Sequence, residues 1–313
     1  MKIVVTGAAG YIGSSICEYL SAMGNEVVGF DNLIYDQGTL VSKVFTKRNC
    51  TLYLEDVTKW SDNLINHIKT ADVLIPLAAL VGAPLCDKNP EVAQSLNHDW
   101  FEQLLPYLEN QLVIYPNTNS GYGSTGDEVC TEETPSNPLS LYAQTKQGAE
   151  DLLLKNYDKA ICFRLATVFG WSYRPRTDLL VNNLVKVSQR DGHITVFDPE
   201  FRRNYIHIKD IVNGFNFAIK EARHMKGQVY NLGNDYLNTT KLDLVKLVCK
   251  ELGTTFSIDN SQTDPDKRDY NVSSAKLYKL GYKPRYRLEY GIAEMSKFYK
   301  FMSEDDEERC RNY

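Results

Sequence analysis

Thr6-Gly7-Ala8-Ala9-Gly10-Tyr11-Ile12-Gly13 follows a short apolar run from Lys2 and opens a stretch in which Ile12, Ile16, Leu20 and Met23 recur at helical spacing until Gly24. Strand, glycine turn and helix therefore come in the order that a dinucleotide site requires. Glycines permit the tight turn, the approach of backbone to a pyrophosphate and close helix packing, and the helix N-terminus offers free N–H groups and partial positive charge. A glycine turn alone could merely join two elements. Here the next apolar run, 26–31, ends on Asp31, whose carboxylate can accept hydrogen bonds from the adenosine ribose hydroxyls and repel a 2′-phosphate. The combination predicts dinucleotide binding through Gly7, Gly10, Tyr11, Ile12, Gly13, Asp31 and Asn32, with NAD preferred over NADP. Taken singly, Asp31 reads equally as a solvated loop acid.

Further apolar runs at 51–55, 72–77, 112–116 and 160–165 alternate with helical patterns. This alternation predicts an α/β fold with a Rossmann-type, doubly wound parallel sheet. Residues 228–232 read as a late strand returning to it. Residues 171–205, rich in Arg, Asn, Asp and Pro, and 236–313 read as a smaller, mixed α/β substrate-binding domain. The dinucleotide domain is then 1–170 plus about 206–235.

The 313 residues are enough for a sizeable core, and 43% hydrophobic with 24% charged residues is ordinary for a globular protein. A net charge of −5 has the wrong sign for nucleic-acid binding, so anionic ligands must be held by a few local cations. No apolar run approaches a membrane span of about 20 residues, and Met1 leads straight into the first strand. The seven cysteines are scattered with no C-x-x-C pair, which predicts reduced thiols, a cytoplasmic location and no metal site.

Tyr142 and Lys146 in Tyr142-Ala143-Gln144-Thr145-Lys146 fall on one helix face. A phenol with an ordinary pKa of about 10 is a poor base at neutral pH, and a preference of roughly 4 kcal/mol for the phenolate brings it near 7. One cation about 4 Å away at an effective dielectric near 20 supplies that amount, which would suit the lysine to the task. An exposed helix face is the commoner meaning of the spacing. Its position after Tyr115-Pro116-Asn117-Thr118-Asn119-Ser120-Gly121-Tyr122-Gly123, a strand end rich in hydroxyls and amides, favours a ligand site instead.

The glycine turn, Leu77-Ala78-Ala79, Asn97, the Thr118-Asn119-Ser120 segment, Tyr142 and Lys146, Arg203-Asn204-Tyr205-Ile206-His207-Ile208-Lys209-Asp210 and Asp266-Lys267-Arg268-Asp269-Tyr270 occur in order along nearly the whole chain. Together they resemble the extended short-chain dehydrogenases/reductases, in particular UDP-glucose 4-epimerase-like proteins that bind nucleotide-diphosphate (NDP) sugars. The resemblance implies Tyr142 as general base, Lys146 as the residue that lowers its pKa and binds the nicotinamide ribose, and Thr118 as partner of the reacting hydroxyl. It also implies cofactor contacts from Asp56, Val57, Leu77, Ala78, Ala79 and Asn97. Asp56 is also compatible with capping a helix. Substrate contacts are implied for Asn119, Ser120, Arg174, Arg176, Asn182, Arg203 and Arg268, with Arg203 and Arg268 on the diphosphate. Arg202 reads as a solvated charge.

Related 4,6-dehydratases carry an Asp-Glu pair after the threonine, where this chain has Asn119-Ser120. Neither residue replaces a carboxylic acid in that proton transfer. The expectation is hydride removal at a sugar C4, giving either epimerisation or net oxidation, with a heptose as one candidate for the oxidation, and the residues do not choose between the two outcomes. A dehydratase or reductase of the family, or a catalytically silent NAD-binding regulator, is the alternative. The family also implies a homodimer through helices near 90–108 and 141–156, although their apolar stripes could equally face only the home sheet.

Overall fold

The computed structural model describes residues 1–261 and 268–312. Seven strands, β1 (Lys2–Thr6), β2 (Glu26–Asp31), β3 (Cys50–Leu54), β4 (Val73–Pro76), β5 (Leu112–Thr118), β6 (Ala160–Leu165) and β7 (Gln228–Leu232), form one sheet. Its order is β7-β6-β5-β4-β1-β2-β3 and its pairings are parallel. The chain thus winds outward in both directions from β1, and the crevice beside it, where the winding reverses, is where such sheets bind ligands.

Parallel sheets are covered on both faces, so their strands read as continuous apolar runs. In β1, Ile3 and Val5 point into one core with Ile16, Leu20 and Phe215, while Val4 points into another with Leu74, Val113, Phe101 and Leu153. The first core holds the helices Tyr11–Ala22 and Ile208–Lys220 against the sheet, and the second holds Trp100–Leu104 and Leu141–Asn156. β5 runs two residues beyond the expected 116, which puts Thr118 at its tip.

A third core around Phe169, Val181, Val185, Tyr205, Leu244 and Ile292 lies apart from the sheet. It gathers the helices Leu180–Asp191, Lys241–Leu252 and Leu288–Tyr299 with a small sheet of Thr167–Phe169, Arg202–His207 and Asn238–Thr240. All seven cysteines are buried and unbridged. Among the described residues no helix is long and apolar enough to cross a membrane, and no group of His, Cys, Asp and Glu could hold a metal ion.

The glycine turn is set by close approach. Gly7 has φ +67°, and a Cβ there would lie 2.7 Å from the Ala78 nitrogen. A Cβ on Gly13 would collide with the Gly7 carbonyl oxygen and lie 2.9 Å from the Ala8 Cα. These are backbone atoms that cannot swing aside. Gly13→Ala should therefore lower stability by about 1–3 kcal/mol, as overpacking does. Chemical denaturation checks this, and an unchanged midpoint would refute it.

Candidate active site

Three loops converge on the crevice at β1. The helix Tyr11–Ala22 starts without a side-chain cap, which leaves first-turn N–H groups for a ligand. Asp31, at the tip of β2, is buried and accepts from Ala9 N at 3.0 Å and Leu33 N at 2.8 Å. Burial pushes its carboxyl upward, while these bonds and the Arg174 charge pull it back. Both oxygens keep acceptor capacity for ribose hydroxyls. Leu77 and Ala78 N–H bond the Thr6 carbonyl and hydroxyl at 3.0 and 3.3 Å, closing the β4 loop over the turn. A cradle that excludes a Cβ, with uncapped N–H groups and a carboxylate beside it, fits a dinucleotide.

Other residues expected to touch the cofactor are placed around this cradle differently. Tyr11 donates through Oη to the Gly170 carbonyl at 2.8 Å, so its side chain ties the turn to the loop after 170. Ile12 is half-buried and packs against the first core, Asn32 is exposed, and Ala79 is half-buried in the β4 loop. Asn97 is fully buried and bonds both backbone groups of Leu80, at 2.8 and 2.9 Å. It positions the β4 loop from a single π-helical turn, Ser95–Asp99. Asp56 does not cap a helix: it accepts from Thr58 N and Oγ1, and Ser61 caps the helix Asp62–Lys69. The Val57 side chain is buried in the second core, and its carbonyl accepts from Trp100 Nε1 at 2.9 Å.

The helix Leu141–Asn156, which carries Tyr142 and Lys146, packs on β5 and on the turn Asn119–Tyr122 that follows Thr118. Ser140 caps the helix Leu141–Asn156 by accepting from Ala143 N at 3.3 Å. Tyr142 and Lys146 then lie one turn apart. Thr118 N donates to Asn117 Oδ1 at 2.7 Å, and its hydroxyl donates to Ser120 Oγ at 3.0 Å. Arg268 Nη1 in turn contacts Ser120 Oγ.

Burial pushes the Tyr142 phenol up to about 12, and Arg176 and Arg268 are the cations that oppose the rise. Lys146 is itself pushed down to about 7 by burial, against Cys162 and Glu150. Its Nζ lies 4.2 Å from the centre of the Tyr115 ring. Burial thus disfavours the Lys146 charge, and the cations that oppose the rise of Tyr142 are Arg176 and Arg268.

Beneath these residues lies a network that sequence reasoning missed. Glu150, 1% exposed, accepts from Arg164 at 2.7 and 3.1 Å, from Asn117 at 2.7 Å and from Gln147 at 3.1 Å. Arg164 also donates to Tyr122 Oη, which donates to Asn231 Oδ1 at 2.7 Å. The one signal available was an arginine inside the apolar strand Ala160–Leu165.

The arginines and Asn182 divide. Arg203 is buried, donates to the Arg202 carbonyl at 2.8 Å and lies 5.4 Å from the Tyr270 ring centre. Arg202 is not a simple solvated charge, since it pairs with Asp269 at 2.9 Å and Asp127 at 2.7 Å. Arg176 forks onto Asp178. Arg174 instead sits with its guanidinium 4.6 Å from the Tyr35 ring centre, next to Asp31. Asn182, expected on the substrate pyrophosphate, bonds Gly170 N at 3.1 Å and the Arg176 carbonyl at 2.9 Å. Both ends of its amide are committed to shaping the 170–176 loop. Asp266 and Lys267 lie outside the described residues.

A lysine whose native pKa is near 7 and whose unfolded value is about 10.4 holds fewer protons folded than unfolded between those pH values. Stability should therefore rise with pH from about 7 to 10, because the full penalty of burying the charge applies below 7. Lys146→Met should flatten that rise and gain on the order of a few kcal/mol at pH 6. Denaturation of the cofactor-free protein at pH 6, 8 and 10 tests this, and parallel profiles for both proteins would refute it.

Residues 3–233 match the family described as Epimerase, the NAD dependent epimerase/dehydratase family. Over 96% of this chain and 99% of the relative, the sequence is 27% identical to YtcB of Bacillus subtilis (strain 168), an uncharacterized UDP-glucose epimerase. It is 26% identical to UDP-glucuronic acid decarboxylase 2 of Arabidopsis thaliana, over 96% of this chain and 68% of that protein. The fold superposes with a TM-score of 0.84 on a UDP-glucuronic acid 4-epimerase from Bacillus cereus solved with UDP-glucuronic acid and NAD, at 27% identity over 96% and 99% of the two chains. With its parallel sheet, glycine cradle and Tyr142/Lys146 helix, this chain belongs to the NAD dependent epimerase/dehydratase family and is an NAD-dependent enzyme.

Proposed function

We propose that the protein removes a hydride from C4 of an NDP-sugar, as a 4-epimerase or a 4-dehydrogenase. One observation carries this reading. The Thr118 and Ser120 hydroxyls are linked to Arg268, and the Arg268 charge also reaches the Tyr142 phenol, so an alcohol-binding group, a proton acceptor and a cation for phosphate share one site. NAD, when bound, supplies the hydride acceptor and the positive charge of its nicotinamide. Thr118 Oγ1 orients the reacting hydroxyl, and Tyr142 Oη takes its proton as the C–H bond breaks. Lys146 holds the nicotinamide ribose, Arg203 and Arg268 hold the diphosphate, and Arg176 adds positive charge beside Tyr142.

A third core of Val181, Val185, Leu244 and Ile292, apart from the seven-stranded sheet, supports a division into a dinucleotide domain, 1–170 plus about 206–235, and a sugar-nucleotide domain, 171–205 plus 236–313, with Leu277 and Tyr282 of the second packed into the first core. Seven unbridged thiols support a reducing, cytoplasmic compartment. A homodimer through helices of 90–108 and 141–156 is the arrangement the family resemblance implies, and Val92, 50% exposed, leaves apolar surface on the first of them. Light scattering at micromolar concentration should give twice the chain mass, and a stable monomer would remove the dimer.

Tyr142→Phe keeps the ring and removes the proton acceptor. Turnover should fall by about 10²–10⁴, the usual worth of general acid–base catalysis, while NAD binding persists. UDP-, GDP-, CDP- and dTDP-sugars carrying deuterium at C4 resolve the reaction. Deuterium kept on an inverted C4 identifies an epimerase, and deuterium collected in NADH with a keto product identifies a dehydrogenase. Normal turnover by Tyr142→Phe, or no C4 exchange with any of these sugars, would overturn the reading.

A further inference from the structure

Arg174 and Arg176 stand two residues apart on one loop. The Arg176 charge reaches the phenols of Tyr11, Tyr35 and Tyr142, and the Arg174 charge reaches Tyr35 and, unlike Arg176, Asp31. The loop itself crosses the glycine turn: Ser172 Oγ donates to the Tyr11 carbonyl at 2.6 Å, and Tyr11 Oη donates to the Gly170 carbonyl at 2.8 Å. The Arg174 guanidinium, 4.6 Å from the Tyr35 ring centre, is thus placed beside the loop that follows Asp31.

The surroundings of Arg174 are unusual for a structural arginine. It is 2% exposed, yet its two direct acceptors are neutral oxygens, Asn312 Oδ1 at 2.6 Å and the Arg311 carbonyl at 2.9 Å. Its buried Nε has no partner among the described residues. Burial and the neighbouring Arg176 push the guanidinium down to about 10, so the site disfavours the charge as it stands. A buried cation without full compensation is stabilised by an anion, and a guanidinium fork matches a phosphate.

Both acceptors come from a segment more than 130 residues away in sequence. That segment, 304–312, includes the short helix Glu304–Arg309 and is fastened to the sugar-nucleotide side at two residues, Glu307 and Cys310. Glu307 pairs with Lys186, the Cys310 carbonyl accepts from Thr177 N at 3.0 Å, and Cys310 itself is 1% exposed.

We propose that Arg174 is a cofactor-binding residue directed at the phosphate–ribose part of the dinucleotide, and that segment 304–312 is the tether that holds it there. Asn312 is then a positioning residue for NAD although it lies outside the glycine turn and the Tyr142/Lys146 helix. The assignment rests on the family's use of NAD but not on which sugar is turned over.

NAD titration by calorimetry on the full chain, Arg174→Ala, Asn312→Ala and the double variant tests the proposal. Arg174→Ala should weaken NAD by roughly 10- to 100-fold, the range of one charge-assisted hydrogen bond. Asn312→Ala should weaken it in the same direction, and the double variant should be no worse than Arg174→Ala alone, because both changes remove one interaction. Arg174→Lys, which keeps charge but loses the fork, should fall between and serves if the alanine variant does not fold. Thermal unfolding without NAD is measured in parallel. Unchanged NAD affinity in Arg174→Ala would overturn the proposal whole, and a lower unfolding temperature with unchanged NAD affinity in Asn312→Ala would make the segment a structural clamp and overturn the tether alone. Tighter NAD binding by Asn312→Ala would overturn it by showing that the segment restrains Arg174. Failure of the unaltered chain to bind NAD would overturn both the tether and the cofactor reading.

Discussion

The buried pair of Glu150 and Arg164 is the constraint on which the geometry around Thr118, Tyr142 and Lys146 depends. A carboxylate at 1% and a guanidinium at 7% exposure must be matched almost completely, since an unpaired buried charge costs several kcal/mol. Matching them fixes three elements at once: Glu150 comes from the helix Leu141–Asn156, Arg164 from β6 and Asn117 from β5. Tyr142, Lys146 and Glu150 follow one another at intervals of four residues, so the face of the helix that buries Glu150 also presents the tyrosine and lysine to the sheet. Asn117, holding Glu150 with its amide nitrogen, uses its oxygen to fix the Thr118 N–H. Tyr115 Oη adds a bond to the Lys146 carbonyl at 3.0 Å.

The same burial shapes the chemistry. Desolvation moves Tyr142 up and Lys146 down, in each case toward the neutral form. The protein meets this with charges placed behind and in front. Glu150 supports the lysine cation from below, while Arg176 and Arg268, from the loops of the third core, oppose the tyrosine's rise from above. Because the charges that act on Tyr142 come from loops of the third core, their effect depends on how those loops are held, and the contacts of the 170–176 loop on the glycine turn help to hold them.

What the sequence made legible was local. The glycine turn, Asp31 at a strand end and the Tyr142/Lys146 spacing each declare themselves within a few residues, and β-α alternation led to the observed parallel sheet. Partnerships across long separations were not readable. Glu150 and Arg164 look like a helix-surface acid and a stray strand arginine until the fold places them 2.7 Å apart. The surroundings of Arg174 are equally invisible in the sequence, because its acceptors come from residues 311 and 312. Asn97 and Asn182 were recognised as site residues, but a side-chain amide facing a ligand and one bracing the adjacent loop have the same sequence signature.

The contacts around Ser120 bear on why the residues beside Thr118 are an amide and a hydroxyl. Arg268 meets Ser120 Oγ, and the Thr118 hydroxyl donates to the same oxygen. A carboxylic acid at this position would lie against a guanidinium, which stabilises the ionised form and lowers the pKa. It would then be a poor proton donor at neutral pH, whatever its distance from the sugar. Asn119, 1% exposed and with neither amide atom bonded among the described residues, offers no titrating group either. The threonine therefore works beside a fixed cation and two non-titrating neighbours, an environment suited to orienting an alcohol for hydride transfer and unsuited to expelling a leaving group from the next carbon.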